Sequence, residues 1–215
     1  MNKRRIFRKA VFYLVGQLIL ALGISLAVRS DLGVSPVSSL PLVCSRIFNI
    51  EMGNMTMIIH FVFVFMQFVL LGKDFSLANF LQVPVAILFG KLVTLTNMAV
   101  SPIVLKTLAT RYLVMIMSVI LISLGVKLYM WADVCPQAPE GLVKAVSDRF
   151  GLPFAAVKNG FDISCVILAA ILSLIFLRSL SGIREGTVIA ALLVGRMAGI
   201  WEKFFGKKAS AFLQA

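Results

Sequence analysis

Histidine is nearly absent from this chain: His60 stands alone among 215 residues. The three cysteines, Cys44, Cys135 and Cys165, have no CxxC spacing, so with one imidazole there is no metal-ligand constellation to read and no metal or cofactor is expected. Acid is scarce as well, with nine Asp plus Glu against 21 Lys plus Arg. No paired carboxylates share a motif, no nucleophile has a base at a usable spacing, and HExxH and phosphate-binding glycine loops are missing. An enzyme is therefore not expected. Charged residues of either sign make up only 14%, while 60% are apolar and mean hydropathy is +0.99. A soluble domain of this size could not hide so much apolar surface.

What the chain does have is long apolar runs, at about 10–29, 53–72, 80–100, 109–131, 154–177 and 187–205. A spanning helix needs about 20 such residues. The expected class is an all-α integral membrane protein of about six transmembrane helices. The net charge of +12 does not form a nucleic-acid face; it gathers at Lys3, Arg4, Arg5, Arg8 and Lys9 at one end and Lys203, Lys207 and Lys208 at the other. That is the positive-inside pattern, placing both termini in the cytoplasm against an anionic lipid leaflet. The run from Ala10 to Val28 is too long for a signal core and lacks a small-residue cleavage site before Arg29, so it reads as an uncleaved first span.

The chain nearly repeats itself at an offset of 102: Gly23 answers to Gly125, Asp31 to Asp133, Ser45 to Ser147, Phe48 to Phe150 and His60 to Asp162. After three inserted residues the offset is 105, and Phe89-Gly90-Lys91 answers to Val194-Gly195-Arg196. Two repeats follow, over 10–100 and 109–206, expected to form the two halves of one membrane bundle about a pseudo-two-fold axis.

Topology turns on the short segments 34–48 and 137–150. Ser35-Pro36 reads as a cap and first-turn proline opening a helix too short to cross comfortably. In the second segment Glu140, Lys144 and Asp148 stand at i, i+4 and i+8 on one face, which suits an interfacial or re-entrant helix. If neither crosses, the repeats are inverted with three spans each, the favoured scheme; if both cross, they are parallel with four each. The cations around Lys106 and Arg111 favour the parallel scheme, and the 140–149 charges oppose it.

Ionisable groups within spans mark candidate functional positions. His60 and Asp162, equivalent in the two halves, are expected to meet across the axis as a proton-carrying pair. Lys91 and Arg196 form a second equivalent pair, close enough to span ends to reach headgroups. The loop Asp31, Gly33, Ser35 and Pro36 precedes a helix N-terminus suited to a small anionic solute, with Arg29 reinforcing it or pairing with Asp31. The turn Arg184, Glu185, Gly186 and Thr187 has the same shape. These two motifs are expected to line one polar site between the halves.

The residues Asp31-Leu32-Gly33-Val34-Ser35-Pro36 after a first membrane helix, and Arg184-Glu185-Gly186-Thr187 opening the last, resemble the YczE/YitT family of bacterial membrane proteins over roughly residues 10–205. In the second half Cys135 and Gln137 stand where the first has Gly33 and Ser35. The resemblance implies a multi-pass protein of the bacterial cytoplasmic membrane and no particular substrate. The expected function is a small-solute secondary transporter or channel, with a non-transporting scaffold, regulator or lipid-binding factor for a partner enzyme as the alternative. The sequence leaves the oligomeric state open.

Overall fold

The computed structural model describes residues 3–214, and all regular structure among them is helical. Eight α-helices follow in order: α1 Lys3–Ser30, α2 Pro36–Phe48, α3 Met52–Leu71, α4 Gln82–Val100, α5 Leu108–Ala132, α6 Ala138–Phe150, α7 Phe154–Leu172 and α8 Glu185–Gln214. The first five long apolar runs become helices long and apolar enough to cross a membrane, so this is a multi-pass membrane protein. The sixth run becomes α8, a 30-residue helix in which Arg196, Glu202 and Lys203 interrupt the apolar length, so among the described residues five helices rather than six are long and apolar enough to cross. The short segments are 13-residue helices, α2 and α6, and α2 opens at Pro36 as the Ser35-Pro36 pair predicts. Local signals set the other ends. Thr107 and Thr110 form a capping box at α5, and Gly151 closes α6 in a left-handed conformation that a side chain would strain.

The chain divides into two compact units, and each draws on both sequence halves. One holds α1, the end of α4, α5 and α8. Its centre is the crossing of α1 and α5, where small residues let the two backbones approach closely. A Cβ added to Gly125 would lie 2.5 Å from the Leu20 amide nitrogen, and one added to Gly23 would lie 2.8 Å from that of Ile122. Gly16 lies against Tyr129 in the same way, at 2.6 Å. Residues 16, 20 and 23 thus meet 129, 125 and 122, which makes the pair antiparallel.

The offset of 102 carries one side of this crossing onto the other, since Gly23 with Ile122 becomes Gly125 with Leu20. The ion pairs obey the same rule. Arg111 meets Asp31 at 3.2 Å, and Lys9, the equivalent of Arg111, meets Asp133 at 3.9 Å. Asp31 and Asp133 both follow their helices in a left-handed conformation, with φ of 55° and 49°.

The other unit holds α2, α3, most of α4, α6 and α7. Here α2 packs on α7 and α3 on α6, each short helix of one half against a long helix of the other. Its apolar core gathers Leu40, Val43, Cys44, Met55, Phe63, Leu142, Cys165 and Ala169. At the α3–α4 crossing, Gly53 and Gly90 abut, and Glu51 accepts a hydrogen bond from the Thr94 hydroxyl at 2.6 Å.

Candidate functional site

Two glutamines at the ends of apolar runs define the most polar feature of the second unit. Gln67, near the end of α3, and Gln82, the first residue of α4, are 1% and 2% exposed. A buried amide is costly unless bonded, and these two bond each other. Gln67 Nε2 donates to Gln82 Oε1 at 2.9 Å, and Gln82 Nε2 donates to Gln67 Oε1 at 3.0 Å. Gln67 Nε2 also reaches the Phe63 and Ala138 carbonyls, fastening α3 to the start of α6. The amide pair lies flat on Gly141 of α6, where an added Cβ would be 2.7 Å from both amide atoms of Gln82.

Above this floor is a cavity of about 500 Å³, lined also by Asp74, Asn79, Pro136, Lys144, Asp148 and Arg149. Its walls come from both sequence halves, 67–82 and 136–149. The charge ladder of α6 has a clear structural use here. Lys144 and Asp148 face the polar cavity, while Leu142, Val143 and Val146 line an apolar groove of about 760 Å³ shared with α2, α3 and α7. Helix α6 separates two environments, which accounts for its amphipathic sequence.

The expected site residues distribute differently. His60 is buried and stacks on Phe89, ring centres 5.7 Å apart, while Asp162 is bound by Lys158 one turn away on α7. Each has found a partner nearer than the other, so the expected His60–Asp162 pair is not formed. Lys91 is exposed halfway along α4, nine residues from either end, rather than near a span end, and Arg196 is exposed on α8.

The loop and the turn do come together. Gly186 N donates to the Leu32 carbonyl at 2.7 Å, and a Cβ on Gly186 would be 2.6 Å from that oxygen. Asp31 is held by Arg111, not Arg29, whose guanidinium donates to the Ile103 carbonyl instead. Gly33 has a φ of 110°, Ser35 precedes α2, Pro36 opens it, and Thr187 is buried in the first turn of α8 behind exposed Arg184 and Glu185. None of these residues lines the polar cavity above Gln67 and Gln82.

Residues 7–203 match a family of unknown function, DUF6198. The chain belongs to that family. No curated protein and no solved structure matches it. For this DUF6198 chain the site must therefore be argued from its own residues. Gln67, Asp74, Asn79 and Gln82 escape a search confined to ionisable groups within spans. The available signal was polar: two amides, 15 residues apart, bracket the break between adjacent apolar runs. A buried amide there needs a partner as surely as a charge does.

Proposed function

We propose that this protein is a secondary transporter of the bacterial cytoplasmic membrane that binds a small polar solute in the cavity floored by Gln67, Gln82 and Gly141. The observation that carries the reading is the cavity itself: a buried polar floor, its two amides bonded to each other, beneath walls contributed by both sequence halves. A concave site with a few fixed polar groups is the usual form of a small-molecule site. Transporters of duplicated architecture place such sites where the repeats meet.

The antiparallel α1 and α5 support an inverted duplication. If both cross the bilayer, an odd number of spans separates their starts. The scheme takes α8 as a sixth span despite Arg196, Glu202 and Lys203: with α1, α3 and α4 crossing in one half and α5, α7 and α8 in the other, α2 and α6 do not cross, and both termini stay in the cytoplasm with the cationic ends. The resemblance to the YczE/YitT proteins fits the same membrane. The role is binding and movement of a solute rather than catalysis.

The test is thermal stabilisation of the purified protein in lipid nanodiscs by a panel of polar solutes, followed by uptake of the stabilising solute into proteoliposomes. Stabilisation and uptake should both be lost in the Gln67→Met, Gln82→Met double variant. Binding that survives in a folded double variant places the site elsewhere, and the absence of stabilisation by any solute removes it.

A further inference from the structure

We infer that the ligand of this cavity is a small zwitterion, its cationic end held between Asp74 and Asp148 and its anionic end by Lys144 and Arg149. The inference rests on the solute-binding reading above and names the class of solute. Elsewhere in this chain four acids pair with cations within 4 Å: Asp31 with Arg111, Asp133 with Lys9, Asp162 with Lys158 and Glu202 with Lys127. Around the cavity they do not. Among the described residues, Asp74, Lys144, Asp148 and Arg149 make neither an ion pair nor a side-chain hydrogen bond.

Helix α7 supplies an internal control. Lys158 and Asp162 stand four apart in the order Lys then Asp and close into an ion pair. Lys144 and Asp148 have the same order and spacing on α6, yet face the cavity without closing. Four open charges of balanced sign, two acids and two cations, select against a solute with one net charge, which would leave a like charge opposed to it. A wholly neutral solute would displace their water without replacing it. A zwitterion answers both signs at once.

The floor adds one contact. Gln82 Nε2 has two hydrogens, one spent on Gln67 Oε1, and no second acceptor for it among the described residues. It is a ready donor to a carboxylate lying on the floor. The cavity, at about 500 Å³, is within the range of roughly 300–1,000 Å³ usual for small-molecule sites.

Three zwitterions of increasing charge separation (alanine, γ-aminobutyrate and alanylalanine) are to be compared with their N-acetyl and amide derivatives, by thermal stabilisation in nanodiscs of net-neutral lipid. At least one zwitterion should stabilise the protein at concentrations about tenfold below either derivative, the factor expected for one lost charge-assisted contact. The Asp74→Asn, Asp148→Asn variant should shift preference to the N-acetyl compound, and Lys144→Gln, Arg149→Gln to the amide. All four side chains are exposed, so both variants keep the fold. Equal binding of zwitterion and derivatives, or an unchanged preference in both variants, overturns the zwitterion and leaves the site. Binding of some other polar solute, with every zwitterion inert, does the same. If no solute of either panel binds, the site falls with it.

Discussion

Replacing Gln67 by methionine should cost about twice as much as replacing Gln82, and replacing both should cost less than the sum of the single changes. Gln67→Met takes from Gln82 both its donor and its acceptor partner, orphaning an amide that is 2% exposed. At roughly 1–3 kcal/mol for each unsatisfied buried group, moderated by the adjacent cavity, the expected loss is about 2 kcal/mol. Gln82→Met leaves Gln67 Nε2 its bonds to the Phe63 and Ala138 carbonyls and orphans only Oε1, for about 1 kcal/mol. With both amides gone, no polar group is stranded and methionine fills nearly the same volume, so the double variant should lie within about 1 kcal/mol of the parent. For a chain of this length each kcal/mol moves the melting temperature by roughly 2–4 °C. Melting of the four proteins in one detergent gives the coupling directly. Additive losses, or equal losses from the two single variants, would refute the reciprocal pair.

Three further outcomes follow from the packing. Gly23→Ala and Gly125→Ala each push a methyl group against opposing backbone and should lower stability by a similar amount, roughly 1–3 kcal/mol, measured by melting; a large inequality would contradict the matched crossing. In a background without Cys44, Cys135 and Cys165, cysteine pairs at 31/111 and 9/133 should be labelled by an impermeant reagent from outside and inside the cell respectively. Labelling of both from one side would exclude the inverted scheme. His60→Phe should preserve expression and solute uptake, because the ring's role is to stack on Phe89; loss of uptake in a well-folded variant would restore a proton-carrying role to it.

The architecture was legible because its signals are local or periodic. Runs of about 20 apolar residues gave the long helices, Ser35-Pro36 gave the start of α2, and the spacing of Glu140, Lys144 and Asp148 marked α6. The offset of 102 was legible too, yet what it means in space was not. It reads as two bodies side by side, whereas the packing interleaves them: the acid of each half finds its cation in the other, Asp31 with Arg111 and Asp133 with Lys9. Sequence offers Arg29 as the nearer partner of Asp31, but a helix carries Arg29 toward Ile103 instead. His60 and Asp162 share a place in the sequence offset but not a contact, since His60 stacks on Phe89 and Asp162 binds Lys158. The cavity was the least legible part. Its floor depends on two neutral amides and a glycine that sequence alone presents as unremarkable polar interruptions, and only their burial together gives them a role.

The crossing of α1 with α5 has a consequence for how the protein is made. Its contact surface on α1, with Gly16, Leu20 and Gly23, has its counterpart on a helix about 100 residues further along the chain. At about 5–20 residues per second of synthesis, α1 waits roughly 5–20 seconds before α5 emerges. Throughout that interval the notch of backbone at Gly16 and Gly23 has no α5 to cover it. The first helix of this protein is thus an unfinished surface during about half of translation, and the insertion machinery must shelter it until the second half arrives.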